Sequence, residues 1–115
     1  RKAAHLYNQK MADIKQITTP YEANYAYHAY HIYVILSDRR DELQNYLLKA
    51  GIQTVIHYPT PIHLQEPYLK MGFRKGDFPL SESHAKNVLA LPIFPEITEE
   101  EISYICDKIT QFYKV

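Results

Sequence analysis

Tryptophan is absent and cysteine occurs once, at Cys106, so no internal disulfide can staple this 115-residue chain. A lone cysteine fits a reducing cytoplasm, the compartment expected here. Net charge is also missing, because thirteen basic and thirteen acidic residues cancel. Without that electrostatic footprint, nucleic acid is set aside as a partner. No apolar run has the length of a membrane span and no basic-then-apolar leader opens the chain, so a membrane and export are set aside too. Repeats, low-complexity tracts, a glycine-rich phosphate cradle and a Ser/His/Asp arrangement are all lacking. What is present is globular: 46% apolar and 23% charged residues, enough for one modest core in a single domain, 1–115. Eleven tyrosines supply most of the aromatic surface, and tyrosine suits half-buried positions with one wet end. The chain opens on Arg1, without an initiator methionine, in what reads as a helix. This start predicts a piece of a longer protein with a neighbouring domain missing.

Ala4, Tyr7, Met11 and Ile14 recur at helical spacing, and Thr18-Thr19-Pro20 ends that helix. The run from Tyr25 to Leu36 is rich in aromatic and β-branched residues and free of Gly and Pro, which predicts a long central strand. Asp38 is placed to cap a helix with Asp41 and Glu42 in its first turn, Leu43, Tyr46, Leu47 and Ala50 inward, and Gly51 as its stop. Ile52 to Tyr58 predicts a second strand beside the first, ended by Pro59. A short helix is expected over Glu66 to Met71 and another over Ser81 to Ala90, with Leu91 to Phe94 extended. Thr98 and Glu101 match a capping box ahead of the apolar face Ile102, Ile105, Cys106, Ile109 and Phe112. This order of elements describes an α+β domain with helices covering a small sheet.

Chemistry concentrates in Ile56-His57-Tyr58-Pro59-Thr60-Pro61-Ile62-His63. Two prolines fix φ within three positions, so the loop is pre-organised. Imidazole and phenol both donate and accept hydrogen bonds and both can stack on a ring, which suits recognition of a polar ligand. The alternative is a structural turn whose histidines cap backbone groups. Metal binding is weakly supported: His28 and His31 would fall on opposite faces of a strand, and His57 and His63 lack an acidic or thiolate third ligand nearby. Cys106 lies in an apolar stripe without a cationic neighbour, which argues against a nucleophile. Glu99-Glu100-Glu101 serves a helix start, Asp38-Arg39-Arg40-Asp41 reads as a solvated charge run, and Arg74, Lys75 and Asp77 flank Gly76 in a loop that reads as a surface turn, with a phosphate contact as the alternative.

Several segments in order carry a resemblance: Arg1-Lys2-Ala3-Ala4 with Tyr7, Tyr30-His31-Ile32-Tyr33-Val34, Asp38 to Leu43, Gly51-Ile52, His57 to Gln65, Gly76-Asp77-Phe78-Pro79, and Leu89 to Pro95. Nearly the whole chain resembles the C-terminal part of the DegT/DnrJ/StrS family, pyridoxal-phosphate-dependent aminotransferases acting on nucleotide-linked keto sugars. The resemblance implies the small domain of aspartate-aminotransferase-type (fold type I) enzymes, with a small antiparallel or mixed sheet. In such enzymes the cofactor lysine, the acidic partner of the pyridine nitrogen and most phosphate contacts belong to a large N-terminal domain. No catalytic, cofactor-binding or metal residue is therefore assigned in this chain. The resemblance implies that His57, Tyr58 and His63 line the active-site mouth near the sugar. It also implies amino transfer from a donor such as glutamate, in cell-surface polysaccharide or related sugar biosynthesis, and a homodimer with sites at the subunit interface. By itself the fragment is expected to be inactive. The competing expectations are a free-standing ligand-binding or regulatory α+β module using the 57–63 loop, or a structural interaction domain.

Overall fold

A computed structural model describes residues 1–114. Helix α1 (Lys2–Met11) leads into a short strand β1 (Ile17–Thr18), and β2 (Tyr33–Ser37) follows a long connection. Then come α2 (Arg40–Lys49), a 3-10 turn (Ile62–Leu64), α3 (Glu66–Leu69), α4 (Pro79–Asn87), β3 (Val88–Leu91) and α5 (Glu99–Lys114). The three strands form one antiparallel sheet in the order β1-β2-β3, with Tyr33 opposite Leu91 and Ile35 opposite Leu89. This is the α+β arrangement expected of the sequence.

Period-two alternation sends Tyr33, Ile35 and Ser37 of β2 inward. Tyr33 and Ile35 share the core with Ala4, Tyr7 and Met11 of α1 and with Ile102, Ile105, Cys106, Ile109 and Phe112 of α5. Tyr7 and Tyr33 stack at 4.7 Å between centroids, and their hydroxyls donate to the Pro92 carbonyl (2.8 Å) and Asn8 Oδ1 (2.6 Å). Burial thus keeps aromatic area dry while each phenol stays satisfied, and it pushes both phenol pKa values up. At the start of α5 the capping box closes reciprocally. The Thr98 N–H donates to Glu101 Oε2 (2.8 Å), and the Glu101 N–H donates to Thr98 Oγ1 (3.1 Å).

Five local expectations are corrected. The strand expected over Tyr25 to Leu36 exists only at its end, Tyr33–Ser37, and Tyr25 and Tyr27 are exposed. Upstream, the Glu22 carboxylate accepts from the His28 N–H (2.6 Å) and from Arg1 (2.5 Å), and Tyr30 turns to φ +51° with its N–H donating to His28 Nδ1 (2.8 Å). Aromatic composition imitates strand propensity there because that propensity measures packing on a sheet, and no sheet neighbour is present.

The second strand reduces to a single bridge, Val55 to Ala90. It lies against β3, because both edges of β2 are already taken by β1 and β3. Helix α2 begins at Arg40 with Arg39 at its cap and no side-chain cap bond from Asp38; Ser37 Oγ accepts the Arg39 N–H instead (3.2 Å). Helix α4 stops at Asn87, and Val88 turns extended (φ −71°, ψ 136°) to start β3. A short apolar run does not reveal its own period, so 88–90 read equally well as helix.

The charge run at 38–41 is not wholly solvated either. Arg40 is buried, and its Nη1 donates to the carbonyls of Ala85 (2.9 Å) and Val88 (3.1 Å) while Nε donates to Asp41 Oδ1 (2.7 Å). Those carbonyls belong to the C-terminal end of α4, where carbonyls without intrahelical partners collect and a cation is favoured. The guanidinium therefore locks α4 to the start of α2.

Candidate functional site

The face of β3 that points away from the main core, Val88 and Ala90, meets the 55–63 segment, and a cleft opens beside it. Its volume is about 520 Å³. One wall is the loop His57, Tyr58, Thr60, Pro61, Ile62 and His63; the other is Ser81, His84, Ala85 and Val88, with Tyr68, Phe73 and Phe78 across the end. Pro61, extended at φ −57° and ψ 147°, caps the 3-10 turn, whose backbone closes through Leu64 N–H to Pro61 (3.0 Å) and Gln65 N–H to Ile62 (3.1 Å). A stiff loop thus meets a helix already fixed by Arg40.

The three residues singled out from the sequence come together on this wall in different environments. His57 is half-buried, with its ring edge-on to Tyr58 at 5.2 Å across a cis peptide bond. Tyr58 is 69% exposed and projects into the opening. His63 is only 7% exposed, edge-on to Phe78 at 4.9 Å. Its Nε2 is enclosed without a hydrogen-bond partner and lies 3.5 Å from Glu82 Oε2. The Glu82 carboxylate is itself held by the Gly76 N–H, 2.9 Å from each oxygen. Gly76 adopts φ +98°, the left-handed region that favours glycine, although a side chain there would meet nothing.

Sequence reasoning missed Tyr68, Phe73, Phe78, Ser81, Glu82 and His84. Ser81, His84, Ala85 and Val88 sit at i, i+3, i+4 and i+7, so a mixed polar and apolar stripe on one helix face was a usable signal. Nothing local announces Glu82, whose partners are 6 and 19 positions away.

Elsewhere the chemistry thins. A concavity of about 910 Å³ lies among Ile52, Val55, Phe94, Ile97 and Tyr104, but its Thr98 and Glu101 are spent on the α5 cap. His28 is used locally, accepting from Tyr30 and stacking on its ring at 4.0 Å, while His31 is exposed. Among the described residues no three His, Cys, Asp or Glu side chains are grouped to hold a metal ion, and no helix is long and apolar enough to cross a membrane. Burial pushes the Cys106 thiol up to about 12, which keeps it protonated and unreactive. Asp77 Oδ2 accepts the Arg74 N–H (2.8 Å), so the 74–77 turn is tied internally.

The sequence profile of the DegT/DnrJ/EryC1/StrS aminotransferase family matches residues 1–110. The chain belongs to that family. It is 43% identical over 98 residues to a pleiotropic regulatory protein of Geobacillus stearothermophilus, covering 85% of this chain and 26% of that protein. It is 32% identical over 106 residues to the dTDP-3-amino-3,4,6-trideoxy-alpha-D-glucose transaminase of Streptomyces venezuelae, covering 92% and 28%. Its fold superposes on S. venezuelae DesV, solved with a ketimine intermediate, at a TM-score of 0.95 and 31% identity, over 99% of this chain and 31% of that one. The chain thus spans between a quarter and a third of these proteins, and its fold is that of the small domain of fold type I aminotransferases.

Aminotransferases of this family use pyridoxal phosphate. The cleft does not fit that group as its principal binder. Its lining contains no lysine to anchor the cofactor, no carboxylate for the pyridine nitrogen and no arginine for the phosphate. All lysines among the described residues are exposed except the half-buried Lys108, on α5. What the cleft does offer is imidazole and hydroxyl groups among aromatic rings, a surface suited to a polar ligand with flat or ring-shaped parts.

Proposed function

We propose that this chain is the C-terminal small domain of a pyridoxal-phosphate-dependent aminotransferase that moves an amino group, from glutamate, to a nucleotide-linked keto sugar in polysaccharide or related sugar biosynthesis. The observation that carries the reading is the family match along residues 1–110, joined to a cleft that presents His57, Tyr58 and His63 on a pre-organised wall. In this reading the three side chains contact the sugar at the mouth of the active site. The large N-terminal domain holds the cofactor, the working enzyme is a homodimer, and this domain alone is inactive. Support for the division of labour comes from the lining itself, which can orient a sugar hydroxyl but has no group to anchor the cofactor.

The test is His57→Ala in the full-length enzyme. The ring is half-buried and packs on Tyr58 alone among aromatic neighbours. The expected result is a fall of roughly tenfold or more in kcat/KM, about 1.4 kcal/mol of transition-state stabilisation, with an unchanged melting temperature. Equal loss of stability and turnover would return the loop to a structural role. A second reading, a regulatory ligand-binding member, draws on the similarity to the Geobacillus stearothermophilus pleiotropic regulatory protein. Borohydride reduction of the full-length protein separates the two. A cofactor trapped on a lysine together with amino transfer supports the enzyme, and absence of any adduct supports the regulator.

A further inference from the structure

His63 and Glu82 meet at a point that no other contact explains. His63 is 7% exposed and its Nε2 is a buried nitrogen without a partner, an unfavourable state when left unrelieved. The Glu82 carboxylate faces it at 3.5 Å, with 12% of that side chain exposed. A carboxylate has about four acceptor sites, and the Gly76 N–H occupies only one direction between its two oxygens. A small rotation of either side chain closes 3.5 Å to an ordinary N–H···O bond. Glu82 also sits in the first turn of α4, where the helix dipole favours its charge.

We infer that Glu82 is the positioning residue for His63: it accepts the Nε2 proton, fixes the imidazole's tautomer and orientation, and leaves Nδ1 as a hydrogen-bond acceptor for a ligand hydroxyl in the cleft. The inference rests on the sugar-binding reading for its ligand, while the pairing rests on geometry alone. The chain of contacts runs from the Gly76 N–H through the Glu82 carboxylate to His63, and Phe78 packs edge-on to hold the ring plane. It couples the 73–78 turn to the 57–63 wall through one side chain. A second partner that fixes which nitrogen a histidine presents is a recurrent device where the other nitrogen does the recognition.

Nitrogen-15 and proton NMR of the chain reads the pairing directly. The wild type should show a His63 Nε2–H resonance protected from solvent exchange near neutral pH. Glu82→Ala should lose it, Glu82→Gln should move it to higher field because the charged acceptor is gone, and Ser83→Ala should leave it in place. A wild type without a protected Nε2–H, or a signal unchanged in both Glu82 variants, overturns the inference. In the full-length enzyme, Glu82→Gln should raise KM for the sugar about as much as His63→Phe, and the double variant no further, because residues acting as one unit are not additive. Independent, additive effects overturn it as well. If the NMR signature is present but the enzyme transfers no amino group to any keto sugar, the sugar reading fails and the pairing stands.

Discussion

Helix α4 buries a polar side chain at each end, and the two ends are built differently. At its C-terminus Arg40 fills two carbonyls, Ala85 and Val88, and reaches Asp41 as well. At its N-terminus the cap residue Phe78 makes no side-chain cap bond, and His63 lies against Glu82 with Nε2 still open. With Nε and Nη1 committed to protein acceptors, this buried cation is structural cement. At the other end the contact is looser, 3.5 Å between Nε2 and Glu82, and the imidazole concerned lines a cleft. The contrast places rigidity on the side facing α2 and recognition on the side facing the 57–63 loop.

The largest expected effect breaks the satisfied end. Arg40→Ala strands two carbonyls and should cost ~3 kcal/mol in urea unfolding. Arg40→Lys should recover only part, because an ammonium cannot reproduce the guanidinium fork. A loss below that of an ordinary surface substitution would remove the distinction between the ends.

The capping box of α5 supplies the next comparison, a helix start that is filled where that of α4 is bare. Thr98→Ala should cost about 1 kcal/mol in the same assay. The open end should respond least among these side chains. His63→Phe keeps the ring packing on Phe78 and leaves the Glu82 carboxylate its Gly76 N–H, so stability should stay within about 1 kcal/mol of the parent. A large loss there would mean that His63, like Arg40, is cement.

The smallest effect lies away from α4. Hydrogen bonds from Arg1, then from the His28 N–H, lower Glu22 from 4.5 to about 2. A carboxylate depressed in the folded state contributes stability above its unfolded pKa and loses it as pH falls toward the folded one. Glu22→Gln should therefore flatten the acid arm of stability between about pH 4.5 and 2, followed by urea midpoints across that range. Solvent screens this surface pair, so the change should be slight beside that of Arg40→Ala.

Much of the fold was legible in the residues. The α1 stripe Ala4-Tyr7-Met11, the α2 stripe Leu43-Leu47 and the α5 face all lie buried as spacing required. The misread segments were those where composition and pairing part company. Tyr25 to Ile32 has strand-like residues but no sheet neighbour, and Val55 pairs with Ala90 across a long separation. At the site, the 57–63 loop was visible because two prolines stand among its polar groups. Glu82 and Arg40 were not, because each is defined by partners remote in the chain.

The sequence alone determined the α+β class, the family and the stiff loop bearing His57, Tyr58 and His63. The class and the loop follow from local spacing, and the family from the resemblance that the ordered motifs carry. Tertiary structure decided which charges are buried, which helix faces the loop and how the two ends of α4 are satisfied. Hydrogen-bond saturation is a property of the assembled neighbourhood: Arg40 finds its carbonyls 45 and 48 positions away, and His63 meets its carboxylate only when α4 has docked.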